Sequence, residues 1–187
     1  VGSANVDFWN LTTKNDAYIL GLWCADGYHR TSSIGLSNVN TDLIKKFKDF
    51  FINLFSPDRL KVRIYEPDEI KRRTRAYHIY VNSRPLLRRF REIENNVKKF
   101  IVFDFVAPYF AGRFDGDGSV AVSFDRDCRI VYSNFLETKN DFDLIKSIGF
   151  EKSNIYEYKS AKTFCLYFSR LETNKFLNII YSYSVRL

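Results

Sequence analysis

The sequence predicts an α+β fold built from two pseudo-symmetric αββαββα repeats with antiparallel sheets. Three observations carry that prediction: helix-like and strand-like segments recur in the same order, two glycine-bearing helices stand at matching places, and short motifs echo between the halves. The 187 residues leave room for one compact domain or two small related halves, and folding at this length buries roughly 70% of the extended surface. With 45% hydrophobic residues, 18 Phe and 12 Tyr against 8 Gly and 4 Pro, a disordered, collagenous or linker-dominated chain is excluded.

In the first half, Asn15 and Asp16 are placed to cap a helix through Tyr18, Ile19, Leu20, Leu22, Trp23 and Cys24, which Gly27 stops. Residues 33–39 read as a strand. Residues 41–54 have helical spacing, with apolar side chains at Leu43, Ile44, Phe47, Phe50, Phe51 and Leu54. Residues 60–65 alternate: Leu60, Val62 and Ile64 form an apolar face, and Lys61, Arg63 and Tyr65 lie opposite. Residues 77–82 complete that hairpin, and 85–100 return to helix. The second half repeats the order with a helix over 107–117 closed by Gly118, strands over 120–124 and 129–138, a helix near 143–148, strands over 154–159 and 163–169, and a closing helix from Leu171. Asp42-Leu43-Ile44-Lys45 is echoed by Asp143-Leu144-Ile145-Lys146. The repeats divide as residues 1–98 and 99–187, one compact unit with no Gly/Ser-rich linker.

Lys plus Arg number 29 and Asp plus Glu 22, a net charge of +7. On a folded, aromatic-rich chain that excess points to a polyanion, most simply nucleic acid. Cys24, Cys128 and Cys165 are odd in number and unpaired in spacing, so neither a disulfide framework nor a zinc ribbon is expected. His29 and His78 stand too far apart for a site built on several imidazoles. No basic start followed by an apolar run occurs, and an intracellular, reducing location without a membrane is the expectation.

The chemistry is expected at two helix ends. Gly21 and Ala25 are four residues apart in the first helix, as are Gly112 and Gly116 in the second. Two small residues on one face let two backbones approach closely, otherwise a costly use of helical glycine. Asp26 and Asp117 end these helices at equivalent places, 91 residues apart. If the helices pack face to face, the two carboxylates meet where both helix dipoles are negative, which demands a cation. Hard carboxylate oxygens select Mg²⁺ or Mn²⁺.

Ile19-Leu20-Gly21-Leu22-Trp23-Cys24-Ala25-Asp26-Gly27 and Phe110-Ala111-Gly112-Arg113-Phe114-Asp115-Gly116-Asp117-Gly118 resemble the two signature copies of a LAGLIDADG homing endonuclease, and the resemblance extends through the repeat order. It implies a monomer of the double-motif type, with saddle-shaped sheets, motif helices packed at the centre, and intron or intein homing. The implied activity is cleavage of double-stranded DNA at a long asymmetric site, leaving short 3′ overhangs. The resemblance makes Asp26 and Asp117 the catalytic, metal-binding acids, with the carbonyls of Ala25 and Gly116 as further ligands. Cys24 and Arg113 depart from the pattern, and both bear on helix packing. The family also places a basic residue at the end of the second strand of each half; Lys139 fits in the second half, and residues 37–40 hold no lysine in the first. The alternative is a non-cleaving binder on the same scaffold, such as an intron RNA maturase.

Nucleic acid is expected on the polar strand faces. Lys61, Arg63 and Tyr65 with His78, Tyr80 and Asn82 form a ribbon for a major groove, and Arg72, Arg73 and Arg75 stand in a basic hairpin loop for phosphates. In the second half the candidates are Arg126, Arg129, Tyr156, Tyr158, Lys159, Lys162 and Tyr167. Aromatics interleaved with cations also suit single strands or RNA. Asp58 followed by Glu69 and Lys71 imitates another nuclease pattern, but beside Pro67 and a basic run it reads as loop. The calcium-loop likeness of residues 115–119 fails, because Val120 and Arg126 stand where Gly and Glu are needed. Affinity for DNA should fall steeply as salt rises, measured by titration over a range of ionic strength; a flat dependence would contradict a phosphate-tracking surface.

Overall fold

The computed structural model describes residues 9–70, 74–121 and 127–187. Along the chain it runs α1 (Lys14–Asp26), β1 (Gly27–Arg30), β2 (Ser33–Asn38), α2 (Thr41–Leu54), β3 (Lys61–Tyr65), β4 (Ala76–Asn82), α3 (Arg84–Glu94), α4 (Val97–Phe100) and α5 (Phe103–Asp117). There follow β5 (Gly118–Val120), β6 (Cys128–Tyr132), α6 (Phe135–Lys146), β7 (Asn154–Tyr158), β8 (Thr163–Phe168) and α7 (Arg170–Ile180). The strands form two antiparallel sheets ordered β1-β2-β4-β3 and β5-β6-β8-β7. This identical order makes the architecture a pseudo-symmetric double repeat. Two compact units result, one of Asp26–Arg91 with the residues up to Leu11, the other of Thr12–Ala25 with Glu92–Leu187.

In the first unit, α2 is held at its start by Asn40, whose Oδ1 accepts from the amides of Asp42 at 2.9 Å and Leu43 at 3.4 Å. Its apolar stripe of Leu43, Phe47, Phe50 and Phe51 is buried, together with Ile34, Leu36, Ile79 and Val81 of β2 and β4. Each fully buried side chain of this size contributes roughly 1.5–3 kcal/mol. Trp9 extends the cluster, its ring 4.7 Å from that of Phe90 and edge-on to Phe50 at 5.9 Å. The expected apolar face of β3 is not buried: Val62 and Ile64 are 56% and 55% exposed. The reason is position, since β3 is the sheet edge and α2 lies against β2 and β4.

The second unit packs Phe110, Phe150, Phe168 and Phe176 together, with Phe168 and Phe176 stacked at 4.0 Å. α1 is buried on every side from Ala17 to Trp23, which is why it shows no amphipathic stripe. Its start is set by Thr13, not by Asn15 and Asp16 as caps. The Thr13 hydroxyl accepts from the Asp16 amide at 3.1 Å, and Asp16 accepts in return from the Thr13 amide at 2.8 Å, a reciprocal capping box.

Three further expectations change. The strand expected over 129–138 ends at Tyr132, and α6 begins eight residues before the expected 143. Asn134 accounts for this: its side chain accepts from the amides of Leu136 at 2.8 Å and Glu137 at 3.3 Å, turning a strand-like sequence into a helix start. α5 begins at Phe103 and runs through Pro108, ahead of the expected 107. Neither Gly27 nor Gly118 takes the left-handed conformation of a glycine stop; among the described residues that region holds only Gly149 and Lys162. At Gly118 the demand is steric, since a Cβ would stand 2.3 Å from Cδ2 and 2.6 Å from the carbonyl oxygen of Phe114.

The two motif helices meet at their glycines. A Cβ on Gly21 would fall 2.0 Å from the Tyr109 carbonyl oxygen, and one on Gly112 would fall 2.1 Å from that of Tyr18 and 2.6 Å from the Leu22 nitrogen. Gly112→Ala in a helix ordinarily gains up to about 1 kcal/mol; here backbone atoms block the methyl. The variant should instead lose roughly 1–3 kcal/mol, read as a lowered denaturation midpoint.

Candidate functional site

The crossing of α1 and α5 lies five residues before Asp26 and five before Asp117. Ala25, Asp26, Gly116 and Asp117 are all half-buried. In the first unit, Asp26 Oδ2 accepts from Asn38 Nδ2 at 2.6 Å. Asn38 is itself fixed, because its Oδ1 accepts from the Asn40 amide at 2.7 Å. That second bond orients the amide so that its NH₂ faces the acid. Asn38 thus stands in the lysine-free stretch 37–40 as the neighbour of the first acid.

Arg113, odd in an otherwise apolar motif position, is explained by the second unit's interior. Its guanidinium is 2% exposed, ion-paired to Glu137 and to Asp141 Oδ2 at 3.0 Å, and lies 4.7 Å from the ring centre of Tyr132. Asp141, fully buried, accepts from the hydroxyls of Tyr109 at 2.8 Å and Tyr132 at 2.7 Å. Burial works against the Arg113 charge, but Tyr109, Asp141 and their neighbours outweigh it and hold the group cationic. Burial likewise raises both tyrosines. A paired charge of this kind is costly to half-remove.

Cys24 belongs to the same neighbourhood: its Sγ and carboxylate oxygens of Glu94 and Glu137 lie within 4.8 Å of one another. Burial pushes the thiol well up, against the pull of Arg113. Protonated, the Cys24 thiol packs as a small, weakly polar group beside these two acids.

Lys139 differs from expectation in its place only. It stands in α6 and not at a strand end, and its ammonium pairs with Asp143 one turn on. Asp143 also pairs with Lys98 at 2.8 Å, and these two cations hold its carboxyl below the usual range.

Strand register sorts the remaining candidates. Gly35 stands opposite Tyr28 and Tyr80, Lys61 opposite Tyr80, and His78 opposite Arg63 and Ser37, so these side chains share one face of the first sheet. His78 departs from expectation by being 1% exposed. Tyr28 sits edge-on at 4.0 Å, Tyr80 at 4.9 Å and Tyr65 in a stack at 6.1 Å, with the Tyr65 hydroxyl 3.3 Å from Nδ1. The imidazole therefore supports the tyrosines that line the face. Arg63 and Arg30 rest over Tyr80 and Tyr28 at 5.4 and 5.7 Å. Asn82 is exposed at the end of β4.

In the second sheet Arg129 pairs with Ser119 and Tyr167, and Tyr156 with Cys165. Arg129, Tyr156, Tyr158 and Tyr167 thus share one face, with the rings of Tyr156 and Tyr167 5.3 Å apart and edge-on. Lys159 and Lys162 lie in the connecting turn, where Lys162 takes φ 52°. Arg75 is exposed and paired with Glu66 at 2.8 Å, a pair worth little in solvent. Arg72, Arg73 and Arg126 lie outside the described residues. Among the described residues, no helix is long and apolar enough to cross a membrane.

With this geometry in hand, comparison identifies the first repeat: residues 13–94 match the model of the LAGLIDADG-like domain. The chain carries a LAGLIDADG-like domain. Over 90–99% of its length the chain superposes on solved structures of the homing-endonuclease fold. The crystal structure of I-DmoI in complex with DNA and Mn superposes with a TM-score of 0.67 at 19% identity, covering 90% of this chain and 97% of that one. The homing endonuclease I-WcaI bound to its DNA recognition sequence gives 0.65 at 14%, covering 99% and 91%. The N-terminal LAGLIDADG domain of DUF199/WhiA gives 0.66 at 16%, covering 94% and 84%. No curated protein matches the chain by sequence.

Within the LAGLIDADG-like domain the cradled His78 has a measurable signature. Burial, then the charges of Arg63 and Arg30, hold its pKa below the ordinary value; burial and Arg91 do the same to His29. Below about pH 6.5 the unfolded chain takes up protons that the folded chain resists, so stability falls as pH drops towards the folded-state pKa. His78→Gln should flatten that acid-side loss, measured as denaturant midpoints between about pH 7.5 and pH 5; an unchanged slope would mean the ring is charged in the fold.

Proposed function

We propose that this chain is a metal-dependent, site-specific endonuclease that makes double-strand breaks in DNA at a long asymmetric site. The observation that carries the reading is the duplicated glycine-bearing helix, each copy crossing at its glycine and ending on a half-buried aspartate. In this reading Asp26 and Asp117 each hold a divalent cation, Mg²⁺ or equally Mn²⁺, with the carbonyls of Ala25 and Gly116 as further oxygen donors. The donor set fits: all are hard oxygens at the negative ends of helix dipoles, where a cation offsets the field. When bound, such an ion supplies Lewis-acid activation of water and stabilisation of the leaving oxygen. The chain's own part is to orient and position. Asn38 fixes the Asp26 carboxylate, and the cationic, aromatic sheet faces carry the duplex, with arginines and asparagines available to base edges. Each acid serves one strand, leaving short 3′ overhangs, and a single chain supplies both acids for intron or intein homing.

A second reading, a non-cleaving binder of DNA or intron RNA, is favoured by one observation: Lys139 is committed to Asp143 and stands on a helix. The two readings separate in one experiment. Selection of cleaved sites from a randomised duplex library with Mg²⁺ should yield a defined target, and Asp26→Asn and Asp117→Asn should each abolish the double-strand break, leaving uncut the strand that the lost acid serves, while retaining binding. Retained cutting by both variants, or no Mg²⁺-dependent nicking by the parent protein, overturns the nuclease reading.

A further inference from the structure

The end of α5 lacks the usual finish of a helix. Gly118 is extended, at φ −85° and ψ 152°, so no left-handed residue folds amides back onto the last carbonyls. The Gly118 amide still donates to the Phe114 carbonyl oxygen, and the further donors at this end come from Arg186. Arg186 Nη1 donates to the carbonyl oxygens of Phe114 at 3.2 Å, Asp115 at 2.9 Å and Gly118 at 3.3 Å. Its guanidinium carbon lies 5.8 Å from the Phe114 ring centre. One guanidinium thus ties down peptide groups on both sides of Gly116-Asp117.

Arg186 is delivered there by a built device. The Ser184 hydroxyl oxygen accepts from the amides of Arg186 and Leu187, each at 3.2 Å, which curls the segment into a turn. That curl is bolted to Asp115, a carboxylate 1% exposed. One Asp115 oxygen accepts from the Ser184 hydroxyl, the other from the Val185 amide and the Tyr18 hydroxyl, both at 2.7 Å. Burial, with the Asp115 charge and bond, pushes Tyr18 far up and keeps it a donor. Asp115 therefore joins α1, α5 and the curl at one buried point.

We infer that Arg186 is a positioning residue for Asp117, fixing the last turn of α5 so that the Asp117 carboxylate and the Gly116 carbonyl hold one orientation toward the cation. The inference rests on the proposed role of Asp117. Asp26 is oriented differently, by Asn38 from a neighbouring strand, so loss of Arg186 should act on one half-reaction only.

The test uses the full chain and the DNA target selected as above, with each strand labelled separately. Arg186→Ala should slow cleavage of the strand that Asp117→Asn spares from cutting, by about 10- to 100-fold, the usual effect of removing a ligand's support. The other strand should be cut at the parental rate, and Arg186→Lys should recover part of the loss. Amide hydrogen exchange supplies a readout that needs neither metal nor cleavage: Arg186→Ala should speed exchange at Asp117, Gly118 and Ser119 while Phe110 to Phe114 stay protected. Ser184→Ala, which loosens the curl but keeps the guanidinium, should give the same pattern more weakly and covers the case in which Arg186→Ala folds poorly. Equal slowing of both strands, or unchanged exchange at the helix end in both variants, overturns the inference. Asp117→Asn that still cuts both strands would instead overturn the role of Asp117 itself.

Discussion

The constraint on which the rest depends is the contact of two helix backbones with no side chain between them. Gly21 against Tyr109, and Gly112 against Tyr18 and Leu22, leave less room than a methyl group needs. Such an approach forgoes the helical preference of any other residue at both sites. It returns dispersion contacts along two buried helices and fixes how α1 sits on α5. Everything nearby follows from that rigidity. α1 is apolar on all sides because nothing of it faces water from Ala17 to Trp23, and polar groups that enter the interface arrive in closed sets.

Arg113 and Asp115 are those sets. Each lies within the second motif, each is almost wholly buried, and each is satisfied in a distinct way. Arg113 takes two carboxylates and the faces of aromatic rings, whereas Asp115 takes two hydroxyls and an amide. Buried polar networks of this kind add little net stability when complete and are severe when broken. Their effect here is to specify geometry: Arg113 ties α5 to α6, and Asp115 ties α5 to α1 and to the segment beyond α7.

Much of this was legible in the sequence, and the reasons for the exceptions are physical. The order of elements, the motif helices and the glycine pair followed from periodicity and duplication, because burial imposes those patterns locally. Asn134 shows the opposite case, in which one side chain bonding to two amides overrode the strand propensity around it. β3 shows another: its alternation was correct, but edge position left Val62 and Ile64 uncovered. His78 was read as a groove residue from its face, correctly placed but masked by three tyrosines whose closeness only register reveals. Asn38, Ser184 and Arg186 carry no sequence signal, since each acts through a partner far along the chain or through a bond that composition does not show.

The uncovered edge of β3 has a further consequence. An exposed strand with apolar side chains is a template for a second chain, and natural proteins defend such edges with charge. Lys61 and Arg63 alternate with Val62 and Ile64 along that strand, so the two cations proposed here to face a nucleic acid also place like charges along the edge, which oppose its pairing with a second copy. Neutralising them to probe binding removes both functions at once. A weaker retention of DNA by such variants is then interpretable only beside a measurement of their self-association.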